Sequence, residues 1–170
     1  MEMQEIRAQA NYTRRMDTLD ALDRKLLAIV QQDADLTSEA ISARIGLSPS
    51  AVQRRLKHLR QRGVIARTVA VLDPEQAGRP TFFIVSLEIE RDRRELIARL
   101  KSWLAEEESV QQVYYVTGEA DFVLIVAASN IEAYDELMTR LTEQNPNIRR
   151  FTTNVVLHAG KRGLQIPIAP

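Results

Sequence analysis

Apolar residues recur at helical spacing from residue 18 onward, beginning with Leu19, Leu22, Leu26, Ile29 and Val30. Apolar positions three, four and seven apart share one side of a helix, and Asp20 and Asp23 fall in its first turn, where the helix dipole favours acids. Asp33-Ala34-Asp35 ends this helix. A second, short helix is expected after Thr37 as N-cap, with Ala40, Ile41 and Ile45 inward and Gly46 as a left-handed C-cap. Ser48 caps a third, with Pro49 at the first helical position, where its missing N–H costs nothing. Laid out at about 100° per residue, Val52, Leu56 and Leu59 fall within roughly 60° of one another and face a core. Ser50, Arg54, Lys57 and Gln61 lie opposite, flanked by Gln53 and His58. The helix is expected to stop at Gly63, with Val64-Ile65 packing back on its base. Arg67–Leu72 alternates enough to be a strand or wing, and Asp73-Pro74 through Gly78-Arg79-Pro80 is punctuated as a linker.

The pattern changes period from Thr81. Phe82–Ile89 reads as a strand with Phe83, Val85, Leu87 and Ile89 on one face. Leu96, Ile97, Leu100, Trp103 and Leu104 mark an amphipathic helix ended by Glu106-Glu107-Glu108. Val110–Thr117 is a strand, Gly118–Asp121 a turn, and Phe122–Ala127 a wholly apolar strand. Ser129-Asn130-Ile131-Glu132 fits a capping box opening a helix with Ile131, Tyr134, Leu137, Met138 and Leu141 inward. Asn145-Pro146-Asn147 breaks it, and Ile148–Leu157 makes a last strand. The order β-α-β-β-α-β is the ferredoxin-like arrangement with an antiparallel sheet.

The fold class is therefore α+β: three helices plus a wing, then a ferredoxin-like domain. The expected divisions are an N-terminal arm over 1–17, a winged helix-turn-helix over 18–66, a wing and linker over 67–80, and the second domain over 81–170. Residues 1–73 carry 12 basic against 9 acidic groups and residues 74–170 carry 11 against 14, so a neutral chain hides two modules of opposite sign. Such asymmetry suggests different partners for the two. No apolar run approaches the ~18 residues a membrane span needs. The first sixteen residues have no apolar h-region, which argues against a signal peptide. The absence of cysteine excludes disulfides and thiolate chemistry and fits a reducing cytoplasm.

Charge sharpens the reading of the third helix. Between Arg44 and Arg67 stand seven basic residues and no acidic one. A tight turn followed by a basic amphipathic helix is suited to the major groove of double-stranded DNA. Arg and Lys can pair with guanine O6 and N7, and Gln with adenine N6 and N7, so Ser50, Gln53, Arg54 and Lys57 are the expected readers of bases. Arg55, Arg60, Arg62 and Arg67 lie to the side or further along and are expected at phosphates. Ser48 and the free N–H groups at the helix start could hold another phosphate. A solvated basic face is the bland alternative; the turn, the cap and the missing acids weigh against it. Arg14 and Arg15 of the arm are further candidates for DNA contact.

The motifs Leu19-Asp20-x-x-Asp23-x-x-Leu26-Leu27, Gly46-Leu47-Ser48-Pro49-Ser50-x-Val52-x-Arg54-Arg55-Leu56, Leu59-x-x-x-Gly63-Val64-Ile65 and Val116-Thr117-Gly118-x-x-Asp121 occur in that order. Together they resemble the Lrp/AsnC, or feast/famine, family of transcriptional regulators over about residues 18–168. The resemblance implies a DNA-binding winged helix-turn-helix and a ferredoxin-like domain that forms a homodimer, assembling further to a tetramer or octamer. It also implies an amino acid bound between dimers that alters assembly or DNA affinity.

The turn Thr117-Gly118-Glu119-Ala120-Asp121 gives that last expectation a chemical form. Its backbone N–H groups could hold an α-carboxylate, and Asp121 could pair with an α-ammonium group. A plain hairpin explains the same glycine and aspartate. By resemblance, Tyr134 and either Thr152 or Thr153 are neighbours of the bound amino acid. The family's frequent Gly-Asp-Tyr-Asp-Tyr stands here as Gly118-Glu119-Ala120-Asp121-Phe122, with Ala120 replacing a tyrosine. Trp103 and Tyr134 at helical spacing are expected in a core or interface.

An enzyme is not expected. His58 and His158 lie in different modules, and no phosphate loop or HExxH pattern appears, so neither cofactor nor metal is anticipated. The competing expectation is a small-molecule sensor whose helix-turn-helix does not bind DNA. The favoured reading places the protein in the cytoplasm at the nucleoid.

Overall fold

The computed structural model describes residues 19–90 and 94–168. The N-terminal arm, with Arg14 and Arg15, lies outside them. Two compact units emerge: the chain up to Ala70 joined by residues from Arg162 onward, and Val71–Lys161.

In the first unit, α1 (Ala21–Val30), α2 (Ser38–Ile45) and α3 (Pro49–Gln61) form three short helices. Each begins on a side-chain oxygen that satisfies an otherwise orphaned N–H. Asp20 Oδ1 accepts from the Asp23 amide at 2.7 Å, Thr37 Oγ1 from Ala40 at 3.2 Å, and Ser48 Oγ from Ala51 at 3.3 Å. Gly46, at φ 72°, closes α2. Beyond α3 the Gly63 amide donates to Arg60 O and the Val64 amide to Leu59 O, both at 2.9 Å. This paired closure needs a left-handed residue at Gly63, whose φ is 71°. Leu19, Leu26, Leu27, Ile41, Val52, Leu56 and Leu59 make the core, with Ile65 and Ile168 against it. The expected burial of Val52, Leu56 and Leu59 is thus realised.

Arg67–Leu72 does not become a strand. Alternation alone does not supply a partner for the backbone, and among the described residues none pairs with this segment. Val69, Val71 and Leu72 stay exposed.

In the second unit, β1 (Thr81–Ile89), α4 (Arg94–Glu106), β2 (Val110–Tyr115), β3 (Phe122–Ala128), α5 (Ile131–Gln144) and β4 (Ile148–Val155) follow the expected order. The sheet runs β2-β3-β1-β4, and each neighbouring pair is antiparallel. Phe83, Val85 and Leu87 pair with Val126, Leu124 and Phe122. These six share one face of the sheet and form a core with Leu100, Leu104, Leu137, Met138 and Leu141 of the two helices. β2 and β4 each stop two residues before the expected ends at Thr117 and Leu157.

The opening of α5 differs from the expected capping box. Asn130, not Ser129, is the N-cap, its Oδ1 accepting from the Ala133 amide at 2.8 Å. Starting one residue later puts Ile131 at the first helical position. Side chains lean toward a helix's N-terminus, so Ile131 projects past its end and is 65% exposed instead of inward. No helix among the described residues is long and apolar enough to cross a membrane.

Candidate nucleic-acid interface and effector turn

Ser48-Pro49 starts α3 as its sequence requires, and burial of Val52, Leu56 and Leu59 fixes which side faces outward. Ser48, Ser50, Gln53, Arg54, Lys57, Arg60 and Arg67 are all exposed. The Ser48 and Ser50 hydroxyls lie 3.1 Å apart, so the first turn presents a linked pair of polar groups. Arg54 and Lys57 extend outward from the same side of the helix as Ser50. Nothing acidic interrupts this surface within α3.

Arg55 is placed differently. Its Nη1 donates to Asp20 Oδ2 at 2.7 Å and to Asp23 Oδ1 at 2.8 Å, joining α3 to the start of α1. Hydrogen bonding from the Asp23 amide, then from Arg55, holds the Asp20 carboxyl below the usual carboxylate range. Both contacts use Nη1, so the two N–H groups of that nitrogen are committed to carboxylates.

The Thr117–Asp121 turn splits into an outer and an inner part. Thr117, Gly118 and Glu119 are exposed, and Ala120 is half-buried. Gly118 takes φ 121°, a backbone state that favours glycine, and so lets the turn close between β2 and β3. Asp121 is only 5% exposed. Its Oδ2 accepts from the Ile89 amide at 2.9 Å, its own amide donates to Leu87 O at 2.8 Å, and its carbonyl accepts from Val116 at 2.9 Å. The carboxylate expected to meet an α-ammonium group therefore also ties the hairpin to the end of β1.

Tyr134 and Thr153 are brought together: the phenol hydrogen-bonds the threonine hydroxyl, and the ring stacks on Phe83 at 3.9 Å between centroids. Burial raises the Tyr134 phenol above its ordinary value, so it stays neutral. Thr152 points to the opposite face of β4, paired in register with Ser86, and is exposed. Phe83 lies four residues along β1 from Leu87, which receives the Asp121 amide. At about 3.3 Å per residue this separates Tyr134's stacking partner from the turn by roughly 13 Å. Within one chain, the expected effector residues do not converge. Trp103 is half-buried, its indole N–H donating to Gln144 Oε1 at 2.8 Å, which binds α4 to α5 as a core residue would.

Three groups escaped the sequence reading. Asp20 and Asp23, expected as first-turn acids, also hold Arg55. Gln31 exchanges two hydrogen bonds of 3.1 Å with the Ile166 backbone, which docks the C-terminal tail on the first unit. Phe82, Ile84, Val123, Ile125 and Ala127 form an apolar surface on the sheet face opposite the helices, with Ile84 38% exposed. A signal for that surface was present: β3 is apolar at every position, as in strands covered on both faces. No group of three or more potential metal ligands occurs among the described residues.

Residues 19–66 match the family described as winged helix-turn-helix DNA-binding, and residues 83–166 that described as Lrp/AsnC ligand binding domain. The uncharacterized HTH-type transcriptional regulator y4tD of Sinorhizobium fredii is 43% identical over 88% of this chain and 89% of its own length. A crystal structure of an AsnC family transcriptional regulator from Agrobacterium tumefaciens superposes with a TM-score of 0.80 at 30% identity, covering 88% of this chain and 97% of that one. A Neisseria meningitidis transcriptional regulator in complex with L-methionine gives the same TM-score and coverage at 25% identity.

Proposed function

The chain belongs to the Lrp/AsnC family and is a DNA-binding transcriptional regulator, and on that premise we propose that it acts as a homodimer whose DNA affinity is set by an amino acid. The observation that carries this reading is the exposed polar face of α3, built on a buried apolar stripe. Ser50, Gln53, Arg54 and Lys57 read base edges, while Ser48, Arg60 and Arg67 meet phosphates. Two copies present two α3 helices to half-sites about 34–36 Å apart on a roughly palindromic duplex. The match of residues 19–66 to a DNA-binding family favours this over a sensor that does not bind DNA. No catalytic role is assigned, and the place of action is the cytoplasm, at the nucleoid.

Dimerisation is supported by the helix-free sheet face. Phe82, Ile84, Val123, Ile125 and Ala127 are half-buried or exposed there, with Tyr114 in register beside Val123. A contiguous apolar surface of this kind is stabilised by a second copy. Dimers then assemble to tetramers or octamers. Because Tyr134 and the Thr117–Asp121 turn do not meet within one chain, the amino-acid site is completed between copies, with Thr117, Gly118, Glu119 and Ala120 at the α-carboxylate. The Neisseria relative's L-methionine makes that amino acid the first to test. Such a ligand shifts assembly only by its differential affinity for the two states.

The test is a gel shift on a duplex selected by the protein from a random pool, with solution mass measured with and without each of the twenty amino acids. Retarded duplex, a mass of at least a dimer, and an amino acid that moves either quantity are expected. A monomer that leaves every duplex unshifted at low salt defeats the reading. Ile84→Asp is expected to release monomers and to weaken duplex binding at least tenfold, through loss of the linked second contact.

A further inference from the structure

Arg54 and Arg55 are neighbours in the chain and point to different chemistry. Arg54 is exposed on the outward side of α3. Arg55 lies about 100° further round the helix, beside the core stripe. There its guanidinium meets two carboxylates of α1 at 2.7 and 2.8 Å. Asp20 makes this contact while capping α1 through its other oxygen, so one side chain fixes both the start of α1 and the flank of α3. Asp23 is 7% exposed, and removing its cation would leave a buried carboxylate uncompensated. The arrangement fixes the guanidinium through Nη1 against the start of α1.

We propose that Arg55 is a positioning residue for DNA recognition: it locks the orientation of α3 against α1, and so the direction in which Ser50, Gln53, Arg54 and Lys57 leave the protein. It contributes no phosphate contact. Its cation also neutralises part of the acidic charge of Asp20 and Asp23 beside a surface meant for a polyanion. This assignment rests on the DNA-binding activity of the family and replaces the expectation that Arg55 meets a phosphate.

The two roles differ in sign. Binding of the full-length chain is measured over a salt series on two duplexes, one selected by the wild-type protein and one of random sequence. If Arg55 positions α3, Arg55→Gln and Asp23→Asn each lower the selected-over-random affinity ratio roughly tenfold, about the effect of one mismatched base pair. The slope of log K against log salt stays at the wild-type value for Arg55→Gln. The double variant loses no more than Arg55→Gln alone, because that change already breaks the contact that Asp23→Asn removes. Arg55→Lys, which keeps a cation, recovers part of the ratio.

A phosphate contact gives the opposite pattern. Arg55→Gln would then shrink the slope by about 0.9 and weaken both duplexes alike. Asp23→Asn, by removing a nearby negative charge and freeing the guanidinium, would tighten both. Either result overturns the proposal. Circular dichroism of each variant confirms folding under the binding conditions. If Arg55→Gln does not fold, Asp20→Asn combined with Asp23→Asn serves in its place, since asparagine at position 20 still caps α1 while both ion pairs are lost. A lowered ratio for this combination supports positioning, and an unchanged ratio overturns it.

Discussion

Helix α3 holds its polar side chains outside the fold, whereas the Thr117–Asp121 turn draws its aspartate inside. On α3 an apolar stripe occupies the interior, leaving Ser50, Gln53, Arg54 and Lys57 unconstrained by the core. In the turn, Asp121 closes the backbone between β1, β2 and β3. The first region can meet its partner as it stands. The second has part of its chemistry engaged by its own strands, and under the proposed function it takes groups from another copy to form a site. Side chains leaving one regular element can form a surface within one chain, whereas here the groups of turns and strand ends are taken up by the chain's own backbone.

The largest effect that would sharpen this contrast comes from Arg54→Ala with Lys57→Ala. Each lost base contact costs about 1–3 kcal/mol, so the pair is expected to weaken binding to a selected duplex by roughly 30-fold or more. Light scattering should show assembly unchanged, since neither residue belongs to the sheet unit. A coupled loss of assembly would break the separation of the two regions.

Next comes Asp121→Ala. It strands the Ile89 amide in a buried position, which costs about 1–3 kcal/mol. Thermal unfolding should show the sheet unit melting earlier, with the helix-turn-helix transition unmoved. An unaltered melting profile would return Asp121 to the role of a ligand-binding group alone.

Removing the tail after Lys161 is expected to cost the first unit about 1 kcal/mol, from partial exposure of the Ile168 contact and loss of the Gln31 pair. The melting temperature of the sheet unit should not follow. The smallest effect is acid sensitivity. The Asp20 carboxyl is held below its ordinary value when folded, because the Asp23 amide and then Arg55 favour the charged form. Its stabilisation is complete above that value and is lost as the pH falls through the depressed one. The melting temperature of Asp20→Asn should therefore fall less steeply than that of wild type below pH 4.

Most of both units was legible because their instructions are local. Thr37, Gly46, Ser48 and Gly63 mark helix ends within a few residues of the groups they satisfy, and the alternation Phe83-Val85-Leu87-Ile89 declares the inner face of β1. The failures share a cause. Arg67–Leu72 had the alternation of a strand without a partner, and Ile131 had the spacing of a core residue at a position where the helix had just begun. Arg55 looked like its basic neighbours because its partners lie 32 and 35 positions away in sequence.

The sequence by itself determined the two units, the element order, the apolar stripe of α3 and the charge concentrated opposite it. These follow from periodicity, caps and side-chain chemistry, each acting over a turn or two of chain. Only the tertiary structure decided which arginine is paired with the carboxylates of Asp20 and Asp23, that Asp121 serves the fold, and that the tail joins the first unit through Gln31 and Ile168. Those choices depend on carboxylates, amides and apolar groups brought together from distant positions, and no local pattern specifies such encounters.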